Sequence, residues 1–456
     1  MQTDNPKIRV MSFYMRGTEI WLRCILDGKI RDVKETDMPK NTDAFDASLD
    51  VNGYWMKEDG GRVPELYRLM RKDITVCEFV ILRDEAGSLV GMEITDVLDA
   101  LRMPVAIQNG CSLHNFMKGR FIPKNREHVD KVLASFSTSG IVDLGTIIEG
   151  TKALSLNDDF WVAKYTESIK WKSVNLYSNH FNTVLSEIAF TGHGSFYLEG
   201  FRSSPEYTTN GMLSKAWRRI DDVVYLYKAG TSGGANTGNE PYSEVFAAQV
   251  AKHLDLPHVP YTLDMWKKRL CSACPLFTSE DVSYIPAKYY FTGKSLLAHM
   301  QGMDRDSQLY QSMADMLAFD AAIGNTDRHM GNFGVLQDND TLEIYPVLAP
   351  IFDNGLSLGC YVMENDDADT EYHNVFRFFS DVANIELVKS FITPRQKELL
   401  RKLLSFKLKP LELNSPPEWR MKMMNQMIQK RVHALLTGDS TSGQLTRSNS
   451  FQKNNS

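Results

Sequence analysis

The stretch from Gly324 to Gly355 constrains this chain of 456 residues more than any other. It reads G-N-T-D-R-H-M-G-N-F-G-V-L, continues through a polar turn, and ends in L-E-I-Y-P-V-L-A-P-I-F-D-N-G. Asp327 and Asn332 lie five positions apart, and Asp353 follows at the end of a second apolar run. An apolar helix leads into the stretch. The sequence therefore predicts an acid, an amide and a second acid, each held on a loop beside a rigid element.

These residue types suit phosphoryl transfer from a nucleotide. That reaction needs a carboxylate to orient the attacking hydroxyl, and oxygen ligands to hold magnesium on the phosphates. In protein kinases the Asp of a D-x-x-x-x-N loop is the base, the Asn binds metal, and a later Asp, usually followed by Phe-Gly, binds metal too. Here Asn354 and Gly355 follow Asp353. An isolated D-x-x-x-x-N is more often an ordinary polar turn, so the rest of the chain has to supply further parts of a site.

Composition excludes several classes of protein. With 43% hydrophobic and 24% charged residues, the chain has the make-up of a soluble globular protein. A formal net charge of -6 provides no electrostatic footprint for nucleic acid, so direct nucleic-acid binding is not expected. No segment has the apolar length of a bilayer span, and the N-terminus lacks the apolar core of a signal peptide. We therefore expect a cytoplasmic protein that does not bind a membrane.

The six cysteines are scattered along the chain, which suits a reducing compartment. Only Cys271 and Cys274 form a C-x-x-C pair. Because no second pair or nearby His accompanies them, we interpret them as strand residues that face opposite ways, not as zinc ligands.

The predicted fold class is α+β, with a bilobed protein-kinase-like fold and an additional N-terminal module. Residues 1–150 are predicted to form a small α+β module of unknown role. Residues 151–277 would form a β-rich small lobe and residues 278–436 a mostly helical large lobe. Residues 437–456 form a polar tail with nothing to bury, which predicts disorder.

Local patterns predict individual elements within these parts. Alternation predicts a strand pair over 8–25 and a hairpin over 77–92, whereas 63–70 and 94–101 have helical spacing. In the small lobe, strands are expected at 160–162, 184–190, 195–198, 223–228 and 270–277. Helices are expected at 242–254, at 306–322 with Gly324 as its end, and at 385–391, 394–406 and 417–436.

A kinase small lobe needs a lysine that reaches the nucleotide phosphates. Lys228 ends the apolar strand V-V-Y-L-Y-K, and Glu244 follows sixteen residues later, in the first turn of the predicted helix. A buried Glu on a helix beside the strand would hold the Lys ammonium toward the α- and β-phosphates. The alternative is a solvated Lys at a strand end and a Glu favoured by the helix dipole.

The segment 208–215, T-T-N-G-M-L-S-K, is the best candidate to cover the phosphates. Its backbone amides can cradle a phosphate, Gly211 permits close approach, and Lys215 adds charge. The Gly-rich run 229–238 lacks the G-K-[ST] of a phosphate loop. Phe277 precedes the predicted hinge between the lobes, 278–281. The expected nucleotide-binding residues are Asn210, Gly211, Lys215, Lys228, Phe277 and Asn332.

Taken in order, these pieces resemble the HipA-like serine/threonine kinases of bacteria over residues 154–436. The strings I-G-N-T-D-R-H-M-G-N-F-G at 323–334 and L-A-P-I-F-D at 348–353 are similar to that family's catalytic and metal-binding signatures. The string E-V-F-A-A-Q-V-A-K-H-L-D-L-P-H-V-P at 244–260 is similar to its small-lobe helix and the following loop. Residues 1–150 do not match its usual N-terminal subdomain.

The resemblance implies a role for each residue of the site. Asp327 would be the base for the substrate hydroxyl, Asn332 and Asp353 the magnesium ligands, Lys228 the phosphate ligand and Glu244 its partner. ATP and magnesium would be the cofactors, and the substrate would be a protein with a Ser or Thr acceptor. Arg328 and His329 follow the catalytic Asp, as in that family.

The resemblance also bears on regulation. Family members autophosphorylate in the phosphate-binding loop, which makes Thr208, Thr209 and Ser214 candidate acceptors. By analogy with the family, the chain would be the toxin of a pair whose other member is a DNA-binding antitoxin protein. The segment departs from the family pattern, because it has no Gln two places after Gly211.

Three functions remain open at this point. The leading one is an ATP- and magnesium-dependent kinase that acts on Ser or Thr of a cytosolic protein. A phosphatidylinositol-type lipid kinase also carries D-R-H-x-x-N, but the I-D-F-G that normally follows there is absent here. The third is a nucleotide-binding pseudokinase or interaction module, against which the presence of all the core polar residues argues.

Overall fold

A computed structural model describes residues 8–16, 18–26, 29–37, 47–49, 55–57, 64–84, 89–134, 144–194, 204–209, 211–292, 296–364, 375–378 and 381–437. The chain begins with an antiparallel sheet of three strands, β1 (Ile8–Arg16), β2 (Glu19–Leu26) and β3 (Lys29–Lys34). This sheet confirms the strand pair predicted over 8–25. Two short strands follow and pair with each other, β4 (Ala47–Leu49) and β5 (Trp55–Lys57).

A four-stranded antiparallel sheet forms the centre of the N-terminal part, in the order β8-β7-β6-β9. Its strands are β6 (Leu66–Arg71), β7 (Ile74–Arg83), β8 (Leu89–Val97) and β9 (Phe160–Lys164). The predicted hairpin over 77–92 is confirmed by the pairing of β7 with β8. The helical spacing assigned to 63–70 and 94–101 is wrong. Strand β6 is buried on both faces, so it lacks the alternation that identifies a half-exposed strand.

Four short helices lie between β8 and β9 in the chain, namely α1 (Val105–Gln108), α2 (Leu113–Lys118), α3 (Val129–Leu133) and α4 (Leu144–Thr151). Helix α3 packs in a separate cluster with Leu185, Ala189 and Tyr207. Helices α1, α2 and α4 pack against the sheet. Their apolar residues share a core with the strands; among them are Phe79, Phe116, Met117, Ile148 and Phe160. Strand β9, expected in the small lobe, pairs with β6 and so completes the N-terminal sheet.

Two helices lead from β9 toward the small lobe, α5 (Trp171–Val174) and α6 (Thr183–Thr191). The strand predicted at 184–190 is therefore wrong. Asn182 caps the first turn of α6 by accepting a hydrogen bond from the backbone N–H of Leu185, and Gly192 ends the helix with a left-handed φ of 69°. These capping signals outweigh the β-branched and aromatic residues of the segment. The strand predicted at 195–198 lies outside the described residues.

The small lobe contains one antiparallel sheet in the order β10-β11-β13-β12 and one long helix. Its elements are β10 (Lys215–Ile220), β11 (Val223–Ala229), α7 (Glu240–His253), β12 (Thr262–Trp266) and β13 (Arg269–Pro275). The predicted strands at 223–228 and 270–277 and the predicted helix at 242–254 are confirmed. Cys271 packs in the cluster of Phe190, and Cys274 in the cluster of Val245, so the two thiols lie on opposite faces as expected.

The large lobe is built around α10 (Gln308–Ile323), most of whose residues are buried. Before it come β14 (Val282–Pro286), α8 (Ala287–Tyr290) and α9 (Leu296–Gln301). After it come β15 (Asp327–Arg328), β16 (Gly334–Asp338), β17 (Ile344–Leu348), β18 (Val375–Phe378), β19 (Asp381–Asn384), α11 (Ile385–Phe391), α12 (Pro394–Arg401) and α13 (Glu418–Leu436). The helices predicted at 306–322, 385–391 and 417–436 are confirmed. The helix predicted at 394–406 ends at Arg401 and continues as a 3-10 turn, Lys402–Ser405.

This architecture confirms the α+β class and the kinase-like layout of a β-rich small lobe beside a mostly helical large lobe. The domain boundaries drawn from the sequence remain predictions, and the predicted tail, apart from Thr437, lies outside the described residues. Among the described helices, none combines the length and the apolar character needed to cross a bilayer.

Candidate functional site

Lys228 lies at the centre of the candidate site, between two carboxylates. Its Nζ atom donates to Oε1 of Glu244 at 2.6 Å, and it also donates to Oδ1 of Asp353. Strand β11 supplies the lysine, α7 the glutamate, and the segment after β17 the aspartate. The structure therefore brings these predicted site residues together from three separate parts of the chain. Glu244 lies two residues further into the helix than predicted, because α7 begins at Glu240 and not at 242.

Asp353 is held in an uncommon backbone conformation. Its φ of 58° is left-handed, a region that Asp and Asn adopt more readily than other residues with a β-carbon. Its backbone N–H donates to the hydroxyl of Tyr261 at 3.2 Å, and the next N–H, of Asn354, donates to Oε2 of Glu244 at 2.7 Å. Glu244 thus holds both the lysine and the backbone beside Asp353. Neither Tyr261 nor Asn354 could be assigned from local sequence, since their partners are distant along the chain.

The charges of this cluster stabilise one another. Burial alone would raise the pKa of Asp353, but the positive charges of Lys228 and Lys215 outweigh burial and hold that pKa below its ordinary value. Burial opposes the charge on Lys228 as well, yet Asp353 and Glu244 raise its pKa above the ordinary value. Lys228 and Asp353 are therefore both ionised at neutral pH.

The loop after α10 positions Asp327 and Asn332. Gly324 ends the helix with a φ of 63°, where an added β-carbon would meet the side chain of Met427. The Asn325 side chain accepts from the backbone N–H of Asp327 at 3.1 Å, and the Asn332 amide donates to the Asp327 carbonyl at 3.2 Å. Burial raises the pKa of the Asp327 carboxyl, a shift in the direction that suits a proton acceptor.

Arg328 ties this loop to the rest of the large lobe. Its guanidinium contacts the Asp320 carboxylate, the carbonyls of Asn332 and Phe352, and the side-chain oxygen of Asn354, at distances between 2.6 and 3.1 Å. Sequence reasoning did not identify Asp320. The sequence feature that could have identified it is an acid among the apolar residues of α10, because a buried charge requires a partner.

His329, next to Arg328, is exposed, and its Nδ1 atom accepts from the backbone N–H of Gly331 at 3.0 Å. The structure therefore does not pack this side chain into the core.

The segment 208–215 lies beside Lys228 through strand pairing. Lys215, the first residue of β10, is directly opposite Lys228 in the β10–β11 ladder. Gly211 has a φ of 98°, and a β-carbon there would collide with the Lys215 ammonium group. Burial, followed by the charge of Lys228, lowers the pKa of Lys215 to about 7. Asn210, which was assigned to the same site, lies outside the described residues.

The candidate autophosphorylation hydroxyls are engaged within the protein. Those of Thr208 and Thr209 donate to the carbonyl of Pro205. Ser214 is buried, and its hydroxyl donates to Glu127 at 2.6 Å.

Phe277 lies in an aromatic cluster at the junction of the lobes. Its ring centroid is 5.2 Å from that of Phe352 and 5.5 Å from that of Tyr284. Phe352 immediately precedes Asp353, so this cluster supports the backbone of the predicted metal-binding loop.

The residues present fit magnesium held together with nucleotide phosphates. Within the described part of the chain, no three His, Cys, Asp or Glu side chains cluster as an all-protein metal site. Magnesium usually takes one or two protein carboxylates together with phosphate oxygens and water. Asp353 is ionised, and Asn332 uses its amide nitrogen on the Asp327 carbonyl, which leaves its amide oxygen as the ligand atom.

Comparison with known proteins gives distant likenesses to kinases. No family model matches the chain. The serine/threonine-protein kinase CtkA of Helicobacter pylori is 25% identical over 163 residues, and the match covers 32% of this chain and 48% of that protein. The chain resembles the HipA-like kinases. The aligned part spans about half the length of CtkA. At this identity and coverage, the similarity indicates a distant relationship to a kinase.

Solved structures also show distant likenesses to the chain. The crystal structure of the H. pylori proinflammatory kinase CtkA has a TM-score of 0.38 and 18% identity, covering 49% of this chain and 92% of that one. HipA of Shewanella oneidensis, in a complex with HipB and operator DNA, has a TM-score of 0.48 and 11% identity, covering 81% and 97%. The golgi casein kinase has a TM-score of 0.28 and 14% identity, covering 50% and 69%. Because every TM-score here is below 0.5, the functional argument rests on the residues of the site.

Proposed function

We propose that this chain is an ATP- and magnesium-dependent serine/threonine protein kinase of the HipA-like type. The supporting observation is the contact of Lys228 with both Glu244 and Asp353, beside the loop of Asp327 and Asn332. A lysine held by a helix glutamate, with a metal-binding acid and a D-x-x-x-x-N loop, is the set of groups that kinases use. The sequence similarity to CtkA favours a protein acceptor over an inositol lipid.

Different side chains of the chain have different roles in phosphate transfer. Lys228 and Lys215 bind the nucleotide phosphates, and Glu244 keeps Lys228 oriented toward them. Asp353 and Asn332 would hold magnesium, which neutralises charge on the phosphates when bound. The Asp327 carboxylate accepts the proton of the Ser or Thr hydroxyl as the hydroxyl oxygen bonds to the γ-phosphorus. The bond between that phosphorus and the β–γ bridging oxygen breaks, and ADP leaves.

The decisive experiment follows phosphate transfer from γ-labelled ATP with magnesium into protein. The unsubstituted chain should label a protein acceptor, whereas Asp327→Ala and Asp353→Ala should each abolish labelling while circular dichroism remains unchanged. Asp340→Ala, which removes an exposed acid of the β16–β17 turn, serves as the control and should retain transfer. Full transfer by either site variant would contradict the mechanism.

Two other outcomes would assign a different function. Inositol lipid and protein acceptors should be offered side by side, and labelling of the lipid alone would indicate a lipid kinase. Thermal stabilisation by ATP without transfer to any protein in an extract would indicate a nucleotide-binding module.

Autophosphorylation and a partner protein are further parts of this proposal. Mass spectrometry after incubation with ATP should find phosphate on Thr208, Thr209 or Ser214. Phosphorylation of any of these hydroxyls requires the hydrogen bond that it now donates to break. A DNA-binding antitoxin partner would be tested by co-purification of the full chain with the product of the adjacent reading frame.

A further inference from the structure

Arg126 joins the N-terminal part of the protein to the predicted phosphate-binding segment. Its side chain is fully buried. The guanidinium donates to the carbonyls of Glu206 at 3.3 Å, Thr209 at 3.2 Å and Lys215 at 2.7 Å. The Glu206 carboxylate lies 3.6 Å away and balances its charge. One side chain thus binds the backbone at both the beginning and the end of 208–215.

Glu127, the next residue, binds the same segment at two further points. Its backbone N–H donates to the carbonyl of Met212 at 2.9 Å. Its carboxylate accepts from the Ser214 hydroxyl at 2.6 Å and from the Ser214 N–H at 3.3 Å. Arg269 of β13 also donates to the Ser214 hydroxyl, at 3.1 Å. The segment is therefore bound at its beginning, its middle and its end.

These contacts bear directly on the geometry of the site. Ser214 and Lys215 are consecutive, and Lys215 is opposite Lys228. A phosphate held by backbone amides and a lysine needs those donors in place before it binds, because ordering a loop during binding reduces affinity. Arg126 and Glu127 supply that order from outside the small-lobe sheet, since both lie between α2 and α3.

We propose that Arg126 and Glu127 are positioning residues for the nucleotide phosphates, and that the N-terminal part of the chain is thereby a component of the nucleotide site. This inference rests on the proposed kinase function. Neither residue takes part in the transfer step. They act through the backbone of 208–215 and the side chain of Ser214.

Two residues of the same part of the protein provide matched controls. Glu149 accepts a hydrogen bond of 2.6 Å from the Tyr67 hydroxyl, and its side chain is 37% exposed, against 32% for Glu127. Arg120 is buried and donates to the carbonyls of Ala153 and Phe160 and to Asp158. These contacts of Glu149 and Arg120 stay within the N-terminal part, which includes β9 and the residues just before it.

The first test compares Glu127→Ala, Glu127→Gln and Glu149→Ala in the full chain, with steady-state transfer from ATP and magnesium to protein. Glu127→Ala should raise KM for ATP about tenfold, as expected for the loss of a charge-assisted hydrogen bond that orders the segment. The kcat and the KM for the protein acceptor should stay near the unsubstituted values. Glu127→Gln should recover most of the ATP affinity, because its amide oxygen still accepts from Ser214. Glu149→Ala should leave KM for ATP unchanged.

The second test uses Arg126→Lys and Arg120→Lys, each of which replaces a buried guanidinium that donates to more than one backbone carbonyl. Direct binding of ATP with magnesium, measured by titration calorimetry, should weaken in Arg126→Lys and remain unchanged in Arg120→Lys. Equal ATP affinity in Glu127→Ala and Glu149→Ala, with an active unsubstituted chain, would overturn the positioning role alone. Absence of ATP binding by the unsubstituted chain would overturn the kinase proposal and this inference together.

Discussion

The guanidinium of Arg328 and the carboxylate of Asp320 form a fully buried ion pair, with hydrogen bonds of 2.9 and 3.1 Å. This pair connects the central helix α10 to the loop of Asp327. The remaining Arg328 donors bind the Asn332 and Phe352 carbonyls and the Asn354 side chain. One arginine therefore sets the relative position of the predicted catalytic and metal-binding loops.

Replacing Asp320 by alanine should destabilise the fold strongly. The change leaves the Arg328 charge buried without its carboxylate, a situation that costs about 3–5 kcal/mol in other proteins. Asp315→Ala, on the same helix, should cost less. Its ion-pair partner Arg395 is 53% exposed, so water can replace that contact, and the Gln396 amide that Asp315 also binds keeps a second acceptor in Gln311. Urea unfolding of both variants measures the difference. Equal losses of unfolding free energy in the two variants would contradict a larger contribution of the Asp320–Arg328 pair to stability.

Glu244→Gln should weaken catalysis without unfolding the protein. The amide keeps an acceptor for the Asn354 N–H but loses the charge that holds Lys228, so kcat/KM for ATP should fall by about tenfold or more. Glu240→Gln is the matched control, since Glu240 is a buried acid of the same helix that binds Thr231 and Tyr361. It should leave the nucleotide parameters unchanged. A loss of the same size in both variants would point to helix stability as the cause.

Nucleotide binding should take up a proton through Lys215. Its pKa is lowered to about 7 in the free protein, so at about pH 8 the amine is mostly neutral. Phosphate charge near the amine favours the protonated form and raises the pKa. Calorimetry at about pH 8 in buffers with different ionisation enthalpies should reveal uptake approaching one proton, and Lys215→Met should abolish it. Heats that do not depend on the buffer would contradict the prediction.

The same lysine should make stability depend on pH in the free protein. Below pH 7 Lys215 is protonated in both the folded and the unfolded chain, so it does not make the free energy of unfolding change with pH. Between about 7 and 10.5 the unfolded chain binds a proton that the folded chain does not, so its contribution to stability rises with pH. Comparing urea unfolding of the unsubstituted chain and Lys215→Met across this range isolates that contribution, which the variant should lack.

Thiol reagents should distinguish Cys111 from the buried cysteines. Burial raises the pKa of Cys24, Cys77, Cys271 and Cys274 to about 12, whereas Cys111 is partly exposed. Iodoacetamide at about pH 8 should therefore label Cys111 first, since the thiolate is the nucleophile. Peptide mass spectrometry identifies the site, and Cys111→Ser should remove the native label. Rapid native labelling of Cys271 or Cys274 would contradict the strand assignment of this C-x-x-C.

Elements with a clear period or cap were predictable from the sequence. Helix α10 has apolar residues at helical spacing and Gly324 at its end, and β11 is a short apolar run, so both were found. Strand β6 and helix α6 were misassigned for opposite reasons. Burial on both faces removed the alternation of β6, and the β-branched and aromatic residues of α6 concealed a helix that is determined by its caps and its packing.

By itself, the sequence determined the residue types of the site and their order along the chain, because an acid, an amide, a lysine and a second acid at these spacings are local features. Only the tertiary structure decided which of them meet. The partners of Lys228 lie 16 and 125 residues away, and the Arg126 contact with Lys215 spans 89 residues. Such contacts depend on how distant elements pack, and no local period or capping signal specifies them.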